Sequence, residues 1–252
     1  LFIMNILVCI SIVPDTTSKI NFTESNKKFD KNGITYIINP LDEFCLTKAI
    51  FIKESIGANI TVLNVGPNEN DSVIRKALAI GADNAVRIDS IAENSLNVAK
   101  SIANYILDKK FDIIFCGKES IDYNGGKVPG YLSAILQIPF MNACVGLEIE
   151  NESLIIQTEI DDGIQISKCN KNIIIAGQKG LVEEKDLRIP SMRGIMTART
   201  KTLEIVKNEE VFDENIETLS FELPEQRSSC KMIDSENVKE LIELLQNEAK
   251  VI

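Results

Sequence analysis

The chain has 252 residues, 44% of them hydrophobic, and carries 27 basic and 37 acidic side chains, a net charge of −10. This length accommodates one large α/β domain with an appendage, and the acidic balance disfavours a nucleic-acid partner, because phosphates repel such a surface. The sequence contains no histidine, which excludes a Ser-His-Asp or Cys-His nucleophile, a histidine general base and a histidine metal site.

The cysteines and the first residues bear on the cellular compartment. Cysteines stand at positions 9, 45, 116, 144, 169 and 230, with no CxxC motif among them. Three of them fall in apolar runs, where cysteine acts as a small buried hydrophobe, so the sequence favours reduced thiols in a cytoplasmic protein. Residues 1–8 are apolar but too short to cross a bilayer, which predicts a buried first strand, with Met4 as the natural start and no membrane insertion.

The first half of the chain shows a strand-then-helix rhythm. Strand-like runs at 6–13, 60–65, 85–88 and 113–116 alternate with helical patterns at 41–56, 72–80 and 96–107. Continuous apolar strands that alternate with amphipathic helices are typical of a parallel sheet covered on both faces. The sequence therefore predicts an α/β fold with a parallel doubly wound sheet, Rossmann-like or of the adenine-nucleotide α-hydrolase type.

A glycine-rich loop at residues 117–130, GKESIDYNGGKVPG, follows the fourth strand. A strand, such a loop and then a helix present backbone N–H groups to a phosphate, and ligands of these folds lie at the carboxyl ends of the strands. The loop contains neither GxGxxG nor GxxxxGK[ST], so it matches no standard phosphate motif. Taken alone, the segment leaves a phosphate-binding loop and an ordinary turn as open alternatives.

The second half of the chain predicts a small antiparallel meander and an arm. Strands are expected at 147–149, 154–160 and 164–167, with turns at 150–151 and 161–163, and a further buried strand at 173–176. Residues 204–229 show little periodicity, which predicts an extended arm. The last segment, 235–249, places its apolar residues on one face, which predicts a helix that docks on another surface. We expect two domains, a nucleotide-binding α/β domain at 1–202 and a C-terminal arm and helix at 203–252.

Six stretches carry a family resemblance in their order and spacing: ILVCISIVPDT, INPLDEFCLTKAI, VIRKALAIGADNAVRI, GKESIDYNGGKVPG, TEIDDG and LRIPSMRGIMTAR. With them the chain resembles the β subunit of electron transfer flavoprotein over nearly its whole length. A generic adenosine-binding domain, such as a universal-stress-type protein, would account for the first half only. The chain departs from the family pattern at Thr158 and Asn172, where a basic residue and a proline are usual.

The resemblance implies a function and a set of ligands. It implies a non-catalytic electron carrier of fatty acid β-oxidation that pairs with an α subunit carrying the redox-active FAD, and that binds a structural AMP in the crevice at its strand ends. The family's nucleotide contacts fall here on Cys9, Asn39, Pro40, Leu41, Asp42, Val65, Gly117, Lys118, Glu119, Ser120, Ile121, Asp122, Tyr123, Asn124, Gly125, Gly126, Lys127 and Val128.

The residue types at these positions suit a nucleotide. The small side chains of Cys9 and Val65 leave room for a flat adenine at the strand ends. Asn39, before a predicted helix, can hydrogen-bond the base or ribose, cap the helix, or do both. The loop supplies the turn-forming residues that a phosphate cradle needs, which are Asp122, Asn124, Gly125 and Gly126.

Two further features follow from the resemblance. The positions that touch the partner's flavin ring, aromatic in mammalian-type members, fall on Thr16 and Leu41, so no aromatic stacking is expected from them. The segment 187–199 resembles the recognition loop that docks on acyl-CoA dehydrogenases, with Met192 at the anchor position and Met196 expected in the core. The expected docking residues are Leu187, Arg188, Met192, Arg193 and Arg199.

Two other functions stay open on the sequence. In an electron-bifurcating form, a second FAD replaces AMP in the same crevice and takes electrons from NADH. The sequence does not separate the two, because AMP is itself a part of FAD. A hydrolase or ATP-cleaving enzyme of the same broad fold is the third alternative, and the lack of histidine and of a P-loop disfavours it.

Overall fold

The structure is a computed structural model that describes residues 3–91, 94–150, 153–208, 218–225 and 229–252. The chain divides into two compact units. The first comprises Leu1–Asn21 and Lys31–Glu217, and the second comprises Phe22–Asp30 and Thr218–Ile252. Among the described residues, no helix has both the length and the apolar character needed to cross a membrane.

The helices and strands alternate through most of the chain. In chain order they are β1 (Met4–Cys9), β2 (Ile12–Pro14), β3 (Phe22–Thr23), β4 (Lys28–Phe29), β5 (Tyr36–Ile38), α1 (Pro40–Ile56), β6 (Ala58–Gly66), α2 (Asp71–Ile80), β7 (Asn84–Asp89), α3 (Ser95–Ile106), β8 (Ile113–Gly117), α4 (Val128–Leu136), β9 (Phe140–Glu150), β10 (Ser153–Ile160), β11 (Gly163–Asn170), β12 (Ile173–Gly177), α5 (Met192–Ala198), β13 (Leu203–Lys207) and α6 (Val238–Leu244).

A nine-stranded sheet in the order β11-β10-β9-β12-β8-β1-β6-β7-β13 forms the centre of the first unit. The strands from β9 to β13 in this order pair in parallel, and β10 and β11 add an antiparallel hairpin at one end. The chain leaves β1 toward β6 on one side and returns to β8 on the other. The strand order therefore reverses beside β1, which is where a doubly wound sheet opens a ligand crevice.

Two apolar layers cover the sheet. One packs α1 and α2 against residues such as Ile6, Ile60 and Ile113, and the other packs α3 and α4 against Leu7 and Ile114. Alternate residues of each strand face opposite layers, so a strand between two layers must be apolar along its whole length. This confirms the predicted α/β fold with a parallel, doubly wound sheet.

The structure differs from the sequence prediction beyond residue 130. The predicted meander is the β9-β10-β11 end of the main sheet, and Asn151 of its first predicted turn lies outside the described residues. Residues 203–207, predicted to open the arm, form the edge strand β13 beside β7. The sequence pattern of residues 203–207 did not predict this strand, because its partner β7 lies more than a hundred residues earlier in the chain. Of the remaining predicted arm, 209–217 and 226–228 lie outside the described residues.

The second unit joins a short hairpin to the C-terminal segment. β3 and β4 are connected through Glu24, Ser25 and Asn26, which all adopt positive φ. Phe221 stacks on Phe22 with ring centroids 4.9 Å apart, and its backbone N–H donates to the Asn26 carbonyl at 2.8 Å. The predicted final helix is α6, which continues into a π turn at Leu245–Ala249.

Candidate nucleotide-binding site

The carboxyl edge of the sheet brings the predicted nucleotide contacts together. Cys9 ends β1, Val65 is the penultimate residue of β6, and Gly117 ends β8. Asn39 and the first turn of α1 lie at the same edge, since Asp42 bonds the backbone of Gly117. Cys9 and Val65 are buried, at 8% and 9% exposure, so each presents only a small side-chain surface to the crevice.

Asp42 ties the start of the glycine-rich loop to the end of β1. Its Oδ1 accepts a hydrogen bond from Gly117 N at 2.6 Å, and its Oδ2 accepts one from Ser11 N at 2.7 Å. A Cβ added at Gly117 would collide with that carboxylate and would be in tight contact with Leu41 Cβ and Asn39 Nδ2, so the close approach requires glycine. Asp42 is only 2% exposed, and its carboxyl group therefore holds the start of the loop in place.

Asn39 has a different partner from those expected. Its side chain makes no cap hydrogen bond to α1. Instead its Nδ2 donates to the Glu119 carbonyl at 2.9 Å, and its Oδ1 accepts from Ile121 N at 3.2 Å. Asn39 thus occupies the cap position of α1, but the interpretation of its side chain as a helix cap is wrong. This side chain is fully buried and holds the loop backbone, which only the folded contact could show.

The glycines of the loop have distinct surroundings. Ser120 N donates to the Gly125 carbonyl at 3.1 Å and closes the turn. A Cβ at Gly126 would lie 2.8 Å from the Lys118 carbonyl, so this glycine is required by the loop itself. A Cβ at Gly125 would meet only Ser120 Oγ, at 3.8 Å. α4 begins at Val128, three residues after Gly125, without a side-chain cap, so the N–H groups of Val128 and Gly130 have no partner within the helix, and Pro129 has no N–H.

Burial governs the ionisation of the groups beneath the loop. Desolvation raises the pKa of Asp42 from its ordinary value of 3.8 to about 7, although the backbone N–H groups of Ser11 and Gly117 favour the ionised form. Desolvation also raises the pKa of the Cys45 thiol. The Cys116 thiol has a raised pKa first through its hydrogen bond with Cys9 and then through burial. These thiols stay protonated at neutral pH, which makes them unreactive packing groups.

A cavity of about 350 Å³ adjoins the loop, and sequence analysis identified only part of its wall. It is lined by Leu41, Lys118, Glu119, Glu159, Gln178 and Lys179. Glu159 accepts a hydrogen bond from Gln178, and neither residue was among the predicted contacts. One signal was present in the sequence: Gly177 and the following residues end a buried strand in the same way as Gly117 and Lys118 do. The two positions expected near the partner's flavin ring differ in exposure. Leu41 is half-buried at this cavity, and Thr16 is exposed.

The remaining loop residues are spread over the surface beside this edge. Pro40 is the first residue of α1 and is half-buried, as are Glu119 and Ile121. The tip is more open, with Asp122, Asn124 and Lys127 exposed and Tyr123 at 75% exposure. The structure thus groups the whole predicted set at one edge of the sheet.

The predicted recognition segment is held firmly by its backbone and by one arginine. Arg188 donates to Glu54 Oε2 at 2.6 Å and lies over the Phe51 ring, so this residue fastens the segment to α1. Ser191 caps α5 by accepting from Gly194 N at 3.0 Å. A Cβ at Gly194 would collide with the Ala79 carbonyl, so glycine allows α5 to lie directly on α2.

The exposed side chains of that segment are apolar and basic. Met192 is 79% exposed, Arg193 and Arg199 are also exposed, and Leu187 is half-buried. Met196, expected in the core, is 70% exposed, so that expectation is wrong. The glycine contact turns the Gly194 side of α5 toward α2 and leaves both methionines on the outside.

Known proteins match this chain over most of its length. Residues 27–211 match the family described as Electron transfer flavoprotein domain. The chain is 32% identical to the electron transfer flavoprotein subunit beta of Bacillus subtilis over 262 aligned residues, covering 99% of this chain and 100% of that protein. It is 33% identical to the subunit beta of Thermoanaerobacterium thermosaccharolyticum, with 82% of each chain covered, and 30% identical to that of Syntrophomonas wolfei, with 98% of each covered. The chain therefore belongs to the electron transfer flavoprotein family, among its β subunits.

Proposed function

We propose that this chain is the β subunit of a cytoplasmic heterodimeric electron transfer flavoprotein that binds AMP in its own crevice. Its companion α subunit holds the FAD, which accepts electrons from acyl-CoA dehydrogenases and passes them to an acceptor. The electron-transfer role follows from the family. The nucleotide, the flavin-bearing companion and the donors are the proposed refinements.

The glycine-rich loop is the observation that carries the nucleotide proposal. A Cβ at Gly125 would meet only Ser120 Oγ, so the space beside it is open, and the uncapped start of α4 follows three residues later in the chain. Backbone N–H groups at a helix start stabilise a phosphate through hydrogen bonds and through the helix dipole. In this proposal the loop holds the phosphate, and the base lies beside Cys9 and Val65 at the ends of β1 and β6.

Two side chains act on the ligand through the loop. Asn39 and Asp42 are buried and bond loop backbone atoms, so in this proposal they position the N–H groups rather than touch the nucleotide. Pre-ordering a loop lowers the entropy lost on binding. The exposed Met192, with Arg193 and Arg199, suits a small transient contact with an acidic electron donor.

The mass of the bound nucleotide tests the function. The chain coexpressed with its companion subunit is denatured, and the released nucleotides are identified by mass spectrometry. We expect AMP and FAD in equal amounts. Two FAD per heterodimer would instead establish the bifurcating form, and ATP with turnover would establish a hydrolase. A preparation without nucleotide would refute the crevice as a nucleotide site.

A glycine series locates the phosphate. Gly125→Ala should weaken AMP retention and Gly125→Val should abolish it, because the added carbons occupy the space of the ligand and not that of the chain. Ala134→Val is the control, since Ala134 is exposed and lies beyond the first turn of α4. Full retention of AMP by Gly125→Val, in a folded protein, would contradict the assignment.

A further inference from the structure

Two cations bind the end of α2 and the end of α5 to each other. From α2, Arg75 Nη1 donates to the carbonyls of Ala198 and Lys201, each at 2.7 Å. In the reverse direction, Lys201 Nζ donates to the carbonyls of Leu78 at 2.9 Å and Ala82 at 2.6 Å. We use the name α2–α5 clasp for Arg75 and Lys201 with these four carbonyl groups. Hydrogen bonds from a charged donor are stronger than those between neutral groups, so the clasp is a firm contact.

The clasp satisfies carbonyl groups at the ends of the two helices. The last four carbonyls of an α-helix have no partner within it, and they form the negative end of the helix dipole. Leu78 lies in the last turn of α2, and Ala82 follows this helix. Ala198 ends α5, and Lys201 follows it. Each cation therefore reaches from one element to the negative end of the other, and its charged group is engaged within this chain.

The clasp helps to hold the predicted recognition segment in one orientation. α5 has only seven residues, and a helix of this length is not stable by itself, so contacts with the rest of the chain must hold it. Gly194, whose added Cβ would collide with the Ala79 carbonyl, fixes one point of α5 on α2. The clasp fixes the C-terminal end of α5 as a second point. With α5 held in this way, Met192 and Met196 remain exposed.

We propose that Arg75 and Lys201 are positioning residues for electron delivery, which hold α5 in the orientation that the electron-donor protein binds. They act through α5 and do not contact the donor. A segment that is ordered before docking loses less conformational entropy on binding, so the clasp strengthens docking without altering electron transfer in the docked complex. The inference rests on the proposed function for the docking of a donor at Met192 and Arg193. It adds the residues that prepare this surface.

A pair of methionine variants tests the clasp. Arg75→Met and Lys201→Met keep an apolar stem, and each removes the donor of one pair of bonds. Each FAD-loaded heterodimer is mixed with a reduced acyl-CoA dehydrogenase, and the rate of electron transfer is followed over a range of dehydrogenase concentrations. The half-saturating concentration should rise about fivefold, while the maximal rate stays within about twofold of that of the wild type.

Two controls and a double variant separate positioning from loss of charge. Lys76→Met removes the same charge from the neighbouring, exposed position of α2 and should keep the half-saturating concentration within about twofold of wild type. Arg75→Lys keeps a cationic donor and should restore much of the loss. Because Arg75→Met and Met192→Ala affect the same docking step, Arg75→Met should add less to Met192→Ala than it adds to wild type. The backbone amides of α5 should also exchange their hydrogens faster in Arg75→Met and in Lys201→Met than in wild type.

The competing view is that the clasp only supports β13, which begins at Leu203. It predicts a lower melting temperature with an unchanged half-saturating concentration in both methionine variants. That result, with weaker docking by Met192→Ala, would overturn the positioning role and leave donor docking intact. An unchanged half-saturating concentration in Met192→Ala as well would overturn the proposed docking site together with this inference. If Arg75→Met does not fold, Lys201→Met decides alone, and equal amide exchange of α5 in Lys201→Met and wild type would overturn the clasp whichever donor is used.

Discussion

The Asp42 carboxyl offers the most specific test of how the loop is held. Asp42→Asn keeps the size of the side chain but leaves one acceptor oxygen where there were two. Either Gly117 N or Ser11 N then faces an NH₂ group instead of an oxygen. An unsatisfied buried N–H costs about 1–3 kcal/mol, so the variant should be destabilised by this amount at pH 5.

The pH dependence of this difference follows from the raised pKa. A carboxyl whose pKa is higher in the folded state contributes full stability below its unfolded value and loses it as pH rises through the folded value. For Asp42 this loss of stability takes place between about pH 4 and about pH 7. The rise of its pKa from 3.8 to about 7 corresponds to roughly 4 kcal/mol in the free energy of unfolding. The free energy of unfolding of the wild type should therefore fall relative to that of Asp42→Asn as pH rises from 4 to 8, until the difference between the two vanishes or changes sign.

Urea unfolding at several pH values between 4 and 8 measures this difference directly. Glu69→Gln is the matched control, because it removes one negative charge from an exposed position. The control corrects for the change in net charge, and its difference from wild type should stay small throughout. A gap between wild type and Asp42→Asn that stays constant or widens with rising pH would refute the assignment of a largely protonated, buried carboxyl.

Three other predictions concern the recognition segment and the arm. Gly194→Ala should lower the free energy of unfolding by about 1–3 kcal/mol, because its Cβ collides with the Ala79 carbonyl; an unchanged value would show that α5 need not lie directly on α2. Met192→Ala should slow electron delivery from a cognate dehydrogenase severalfold, with flavin content and melting temperature near wild type, and the transfer rate should also fall as salt is raised because arginines steer the encounter. A lower melting temperature with unchanged transfer would refute the assignment of Met192 as the anchor. A chain truncated after Lys207 keeps β13 but should no longer form the FAD-loaded heterodimer with the α subunit. A truncated chain that forms an equally stable loaded heterodimer would show that the arm is not needed for this association.

Local pattern determined much of this protein. The apolar runs of β6 and β8 and the periodicity of α1, α2 and α3 predicted these elements to within about two residues, since a helix bonds within itself and a doubly covered strand must be apolar throughout. The single strand predicted at 6–13 is instead two strands, β1 and β2. The glycine-rich loop could be placed at the carboxyl edge because it follows a strand. The family could be recognised because its motifs are contiguous stretches.

Tertiary contacts decided the rest. β13 forms because β7 lies open at the sheet edge, and its own five residues carry no distinguishing period. The role of Asn39 depends on the loop backbone at Glu119 and Ile121, eighty residues away in the chain. Whether Met196 is buried depends on which side of α5 meets α2, and the close contact of Gly194 sets that side. Residues far apart in sequence meet only in the folded chain, so these features are properties of packing rather than of local pattern.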